Sequence, residues 1–277
     1  MGAALASETH IPYFQGRQSQ PSFDFFNKEP KHIIILGAGM AGLAAAYELE
    51  TLGYRVTILE ADESHHGGRV RTLRFGNGLY GEAGAMRVPR NHHLTRHYIR
   101  EFGLRLRPFL TDNPLALYYY RGQRVRQRNE SQLTTGMSNL ESQLGAKGLW
   151  QIVVSRALTK MSSSVKRQLL DWERLDEDGR HWDGKSLARL LSESGLSNEA
   201  QNYLSQLSAL SGNLGDAATE YLREELNSDW TSGFDEIVGG TDLLAKGFVE
   251  RLHHKPMMGC RVVSIEQDVI NRKVRAV

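Results

Sequence analysis

The first interpretable pattern begins at residue 32. His32-Ile-Ile-Ile-Leu36 is a short continuous apolar run ended by glycine, the pattern of a strand buried on both faces. Gly37-Ala-Gly39-Met40-Ala41-Gly42 follows, then an alanine-rich helical stretch to about Leu52. Gly53 ends that helix, as a residue free to take the left-handed conformation does. Arg55-Val-Thr-Ile-Leu59 is a second strand, and strand, helix and parallel strand within about 30 residues make one βαβ unit. Leu94, Tyr98 and Phe102 predict an amphipathic helix from His92 to Phe102, stopped by Gly103. Leu115–Tyr120 and Gln123–Gln127 predict a hairpin turned at Arg121-Gly122.

Between about 130 and 215 the pattern changes. Leu187, Leu190 and Leu191, then Leu204, Leu207 and Leu210, recur at three- and four-residue spacing, with Ser, Asn and Gly separating the pieces. These leucines read as the core of a helical insertion rather than as a groove for a partner. Phe234-Asp-Glu-Ile-Val-Gly-Gly240 opens a turn and a helix from Asp242 to Leu252. Cys260–Glu266 alternates like a strand, with Cys260 in the core, and Asn271–Val277 begins its hairpin partner. Residues 1–30, polar and aromatic with three prolines, read as an extended arm.

Composition narrows the function classes. The 277 residues carry 34 Lys+Arg against 32 Asp+Glu, and a net charge of +2 argues against nucleic acid or an anionic membrane as main partner. No stretch approaches the roughly 18 apolar residues of a spanning helix. One cysteine, Cys260, makes neither an internal disulfide nor a metal cluster. Met1–Ala6 matches neither a secretion signal nor a myristoylation site, so a cytoplasmic protein is expected. Glycine, at 27 residues, is the one excess.

Its clusters carry the chemistry. Gly37-x-Gly39-x-x-Gly42 follows a strand and opens a helix. The first glycine permits the tight turn, the second lets a pyrophosphate approach the backbone, and the third lets helix and strand pack closely. Phosphate oxygens then meet the free N–H groups and positive dipole end of the helix. Glu60, 21 residues after Gly39, is placed to accept hydrogen bonds from an adenosine ribose, and its charge disfavours a 2′-phosphate. The motif alone does not separate NAD from FAD.

The second cluster separates them by resemblance. Glu60-Ala61-x(5)-Gly67-Gly68-Arg69-x-x-Thr72 resembles the signature of the flavin amine oxidases, which implies that the loop continues an FAD site. Many members carry an arginine just ahead of the glycine pair and one residue fewer, whereas Ser64-His65-His66 stands there in this chain. The third cluster, Gly81-Glu-Ala-Gly84-Ala85-Met86-Arg87-Val-Pro89, with His92–Leu104 after it, resembles the L-amino-acid oxidase branch. The resemblance implies a turn passing the isoalloxazine ring and Arg87 pairing with the substrate carboxylate. A guanidinium fork suits a carboxylate bidentately, although local residues equally allow Arg87 to neutralise Glu82. Tyr221–Glu225 and Phe234–Leu244 resemble the segments that return to the FAD domain, and Val262 matches the strand position whose backbone meets the adenine.

The resemblance implies an α/β protein with a discontinuous Rossmann-like FAD-binding domain at 31–72 and 235–277. The substrate domain would take 73–129 and 216–234, with the helical insertion at 130–215. The implied reaction is oxidative deamination of an L-amino acid by O₂, yielding the 2-oxo acid, ammonia and H₂O₂. A homo-oligomer is expected, with a second chain or further C-terminal part completing the FAD domain. The alternatives are an amine or polyamine oxidase, or a non-catalytic FAD-binding fragment. No residue is assigned as catalytic and no metal is expected: His93 and His97 share a helix face without a third ligand. The arginines from Arg121 to Arg128 read as a charged hairpin edge.

Overall fold

The computed structural model describes residues 31–227, 232–268, 271 and 273–277. The extended arm expected for residues 1–30 lies outside them. The expected βαβ unit is present as β1 (His32–Leu36), α1 (Met40–Thr51) and β2 (Arg55–Leu59). Its strands pair in parallel, Ile33 opposite Val56 and Ile35 opposite Ile58. Gly53 makes the turn between helix and strand at φ +84. Further along come hairpin β3 (Thr72–Arg74) and β4 (Tyr80–Glu82), short strand β5 (Val88–Pro89), α2 (His93–Glu101) and β6 (Leu106–Pro108).

One core joins these pieces. Val56 and Ile58 are buried with Leu43 and Ala46 of α1. Leu244, Ala245 and Phe248 complete that layer from a late helix, Asp242–Arg251. Tyr47, Tyr98, Phe102 and Phe248 meet edge-on or tilted, with centroids 4.7–6.2 Å apart, which ties α2 to the same layer. Residues 257–260 run alongside β2 in parallel: Met257 N donates to Ile58 O at 2.9 Å and Cys260 N to Glu60 O at 2.7 Å.

Two strand expectations need correction. The β1 run is not buried on both faces: Ile34 is 36% and Leu36 45% exposed. Ile35 packs against the helical core, whereas Ile34 and Leu36 on the alternate face stay partly open, Leu36 at the wall of a groove. A continuous apolar run signals two covered faces, and only one has its cover here. The strand expected from Cys260 begins only at Ile265, because Cys260 is bonded to the end of β2 instead.

Hairpin β7 (Leu117–Tyr120) and β8 (Gln123–Arg126) turns at Arg121 and Gly122, both at positive φ (48 and 79), the twist that two-residue hairpin turns favour. Helices α3 (Asn139–Lys160), α4 (Ser163–Asp171), α5 (Glu177–Asp183), α6 (Leu187–Ser192) and α7 (Asn198–Leu207) form a separate core. Leu187, Leu190, Leu191 and Leu204 lie inside it, with Leu207 and Leu210 at its margin. Burying each such leucine stabilises by about 1.5–3 kcal/mol. Serine or aspartate side chains cap the first turns of α3 to α7. The body does not stop at 215: α8 (Ala218–Leu226) buries Ala218 and Leu222 in the same core.

The chain then returns through β9 (Phe234–Ile237), which pairs antiparallel with β5 on one edge and β6 on the other. The helix α9 (Asp242–Arg251) follows, then hairpin β10 (Ile265–Asp268) and β11 (Lys273–Ala276), Ile265 opposite Ala276. Among the described residues no helix is long and apolar enough to cross a membrane.

Candidate functional site

The glycine loop is built as its spacing predicts. Gly37 N donates to Leu59 O at 2.7 Å, and Gly37 takes φ +96. A Cβ on Gly42 would overlap the Gly37 carbonyl, so only glycine lets α1 start this close to β1. A Cβ on Gly37 or Gly39 would instead project into open space. No side chain caps the α1 N-terminus at Gly39, and no acidic residue stands in its first turn, where Met40 and Ala41 lie. Free amides beside open space suit an anion.

Glu60 closes the loop from the end of β2. Its Oε2 accepts Ala38 N at 2.6 Å and its Oε1 accepts Asp62 N at 2.9 Å. A groove of about 510 Å³ opens beside it, lined among others by Leu36, Gly37, Glu60, Ala61, Cys260 and Val262. Cys260 is therefore half-buried at a groove wall rather than in the core. Its alternation with Val262 signals a strand, but not which side faces solvent.

Backbone bonds join the three glycine clusters. Gly67 N donates to Ala38 O at 2.7 Å, and a Cβ on Gly68 would stand 3.4 Å from Gly39 Cα. Arg69 is exposed, with no ion-pair partner among the described residues. Ala83 N reaches Arg71 O at 2.8 Å and Ala85 N reaches Arg69 O at 3.0 Å, so the Gly-Gly-Arg loop and the Gly84–Arg87 turn form one sheet-like strip. A Cβ on Gly84 would overlap the Arg69 carbonyl. Beyond the strip, Thr72 Oγ1 donates to Glu82 Oε2 (2.8 Å), and Glu82 Oε1 accepts Thr241 N (2.8 Å). Arg74 grips Asp242 with two bonds of 2.7 Å. Burial, with the charges of His65 and Lys246, pulls the His66 pKa down, so the residue just ahead of the glycine pair favours the neutral form.

Arg87 sits half-buried just ahead of β5, its guanidinium carbon 4.9 Å from the centroid of the Phe234 ring. Register fixes this approach: Pro89 pairs with Phe234 and Val88 with Asp235. Asp235 is buried and accepts from Arg96 at 2.7 Å and Arg90 at 3.2 Å. Burial opposes its ionisation, but the Arg96 and Arg90 bonds prevail and hold its pKa below the usual value. Sequence reasoning missed Phe234 beside Arg87, and the Asp235–Arg90–Arg96 cluster on the same strand pair. Only strand pairing across more than 140 residues brings Asp235 to Arg90, and no local pattern encodes it.

The weaker signals have structural explanations. His97 Nε2 is 3.1 Å from Glu101 Oε2. Arg121 pairs with Glu199 at 2.6 Å, and Arg126 donates to the Leu115 carbonyl.

The parallel βαβ unit, its open glycine cradle and the acid at the end of β2 define an α/β protein built for a dinucleotide. The residues present fit such a ligand: Gly37, Gly39 and Gly42 leave an open cradle at Met40 and Ala41, Glu60, Ala61 and Val262 line the adjoining groove, and Gly68, Arg69, Gly84, Ala85 and Met86 lie along the strip leading to Arg87.

Comparisons with known proteins place the class. The family model for flavin containing amine oxidoreductases matches residues 40–276. The chain is 33% identical over 246 residues to an L-amino-acid oxidase of Bothrops pauloensis, covering 87% of this chain and 47% of that protein. It is 34% identical over 252 residues to the L-amino acid oxidase Cdc18 of Crotalus durissus cumanensis, covering 88% and 48%. The solved structure of putrescine oxidase bound to putrescine shares the fold, with a TM-score of 0.61 at 19% identity over 87% of this chain and 53% of that one. This chain belongs to the flavin containing amine oxidoreductases, and FAD is the cofactor that goes with that membership. It spans about half the length of the curated relatives it matches.

Proposed function

We propose that this chain forms part of an FAD-dependent L-amino-acid oxidase. One observation carries the reading: the strip that leads away from the glycine cradle ends on Arg87, seated over Phe234 on a paired strand. The identity to L-amino-acid oxidases over most of the chain supports it.

The protein's own work is holding and aiming. The α1 N-terminus and Arg69 would face the pyrophosphate, Glu60 the ribose hydroxyls, and the backbone at Val262 the adenine. Arg87 would bind the substrate carboxylate bidentately, which fixes the direction of the α-carbon. FAD, when bound, supplies a hydride acceptor that O₂ regenerates with release of H₂O₂. Hydrolysis of the imino acid then gives the 2-oxo acid and ammonia.

In the flavin-loaded protein, Arg87→Ala should raise KM for L-amino acids at least tenfold while flavin absorbance persists. Unchanged kinetics would remove the carboxylate clamp. Faster turnover of an amine than of its parent amino acid would establish an amine or polyamine oxidase instead, and a yellow but inert protein a non-catalytic FAD-binding chain.

We also propose that further polypeptide, from the same or a second chain, covers the bare face of β1. A homo-oligomer and a cytoplasmic location complete the reading, the latter supported by the single cysteine. Native mass and cell fractionation test them.

A further inference from the structure

We infer that His65 is a positioning residue for the cofactor's pyrophosphate: its ring sets the Gly68–Arg69 peptide so that the Arg69 N–H meets the phosphates. The inference rests on the reading that seats the pyrophosphate in the glycine cradle, and it names a residue that reading leaves unused.

A tight turn sets the geometry. Val70 N donates to Gly67 O at 3.1 Å, which makes Gly68 and Arg69 the central residues of a four-residue turn, with Gly68 at φ +60. That closing bond engages neither group of the central Gly68–Arg69 peptide, and turn types I′ and II′ differ in how this peptide is set. The turn stands against the cradle. Gly67 N donates to Ala38 O at 2.7 Å, and a Cβ on Gly68 would lie 3.4 Å from Gly39 Cα. On one edge of the central peptide, the Gly68 carbonyl accepts His65 Nε2 at 3.1 Å. In a planar trans peptide the N–H points opposite to the C=O, so the same bond fixes the direction of the Arg69 N–H. Among the described residues nothing accepts from that N–H.

His65 is itself held. Asp62 Oδ1 accepts the amides of Ser64 at 2.8 Å and His65 at 2.9 Å, and Asp62 N donates to Glu60 Oε1 at 2.9 Å. A relay of bonds thus runs from Glu60 at the groove, through Asp62 and His65, to the turn at the cradle. Phosphate oxygens are bound by N–H groups that already point at them. A peptide free to flip would have to be ordered when the cofactor arrives, and a peptide already set avoids that cost. The imidazole donates to a protein carbonyl, so its part is to orient the turn rather than to touch the cofactor.

The test is fluorescence titration of the flavin-free protein with FAD, together with phosphorus NMR of the flavin-loaded protein. His65→Phe keeps a ring without a donor, whereas His65→Gln offers an amide N–H at about the reach of Nε2. Loss of one hydrogen bond between neutral groups should raise the FAD Kd by roughly 2- to 10-fold in His65→Phe. The pyrophosphate resonances should move with it, and His65→Gln should bring affinity and resonances back to those of the parent. A part confined to holding the loop would leave the pyrophosphate resonances in place. Gly39→Val is the control. At φ −69 a side chain is unstrained there, and its Cβ projects into the open cradle, so FAD should weaken more than in either His65 variant.

If Gly39→Val weakens FAD while His65→Phe changes neither affinity nor resonances, the part given to His65 is overturned and the cradle stands. Equal losses in His65→Phe and His65→Gln overturn it as well, because the donor is then not what matters. A raised Kd with unmoved resonances overturns it too. If Gly39→Val leaves affinity and resonances unchanged, the pyrophosphate lies elsewhere, and cradle and brace fall together.

Discussion

Ala38 N donates to Glu60 Oε2 across 2.6 Å, so the acid at the end of β2 is also the brace of the glycine loop. Its second oxygen takes the Asp62 amide at 2.9 Å. One carboxylate thus ties the glycine loop to the segment that follows β2. Lone pairs remain on both oxygens for ribose hydroxyls, because each carboxylate oxygen accepts more than one bond.

Glu60→Gln should therefore weaken FAD binding through two routes. The amide offers a single acceptor oxygen, so its NH₂ group must face either the Ala38 or the Asp62 amide, donor against donor. Losing a bond to a charged group costs about 1.5–3 kcal/mol, or roughly ten- to a hundredfold in Kd. Fluorescence titration of the flavin-free protein with FAD reads the change. An affinity equal to that of the parent would show that Glu60 neither braces the loop nor meets the ribose.

Gly84→Ala tests the strip between the second and third glycine clusters. The new methyl would overlap the Arg69 carbonyl, and backbone cannot yield as a flexible side chain does. Overpacking of this kind destabilises by about 1–3 kcal/mol. Thermal melting should fall, and the ratio of flavin to protein absorbance after purification should fall with it. A fully yellow variant with an unchanged melting curve would show that the strip tolerates separation.

Acid should loosen the join between β3 and α9. Burial opposes ionisation of Asp242, but the Arg74 and Lys246 bonds outweigh it and lower its pKa to about 2. A folded pKa below the unfolded one means stability present above about 4 and lost as pH falls from there toward 2. Asp235 shifts in the same direction and adds to the loss. The Asp242 share is on the order of 1–2 kcal/mol, since solvent screens the half-exposed Arg74 and Lys246. Urea midpoints from pH 6 to pH 3 should decline in the parent and decline less in Asp242→Asn. Parallel pH profiles would remove Asp242 from the account.

Much of this was legible in the sequence where the signal is local. The glycines at 37 and 53 and the pair Arg121-Gly122 announce positive φ, and the structure puts positive φ at each. The leucine spacing at 187–204 announces a helical core, and those side chains are inside it. The end of the helical body was not legible, because Ala217 before α8 offers no capping side chain. Glu130 shows the same limit. Its carboxylate lies against Gly145, where a Cβ would overlap it and where φ 62 breaks α3, a partnership that only the folded chain creates. The surroundings of Arg87 also depend on strand pairing between distant segments. Turns and helical cores set by contiguous residues were readable, and pairings between distant strands were not.

The bare face of β1 gives the last prediction. Ile34 is 36% exposed beside Thr57 on the paired strand. Apolar side chains in a parallel pair ordinarily lie under a second layer. If further polypeptide supplies that layer in the whole protein, Ile34→Asp buries an unpaired carboxylate there and should cost several kcal/mol. In a chain of residues 1–277 alone the same substitution meets water, so its cost should stay within about 0.5 kcal/mol. Thermal or urea unfolding of both forms, each with and without Ile34→Asp, measures the difference. Equal, small costs in the two forms would mean that the face stays open and that the additional length of the relatives lies elsewhere.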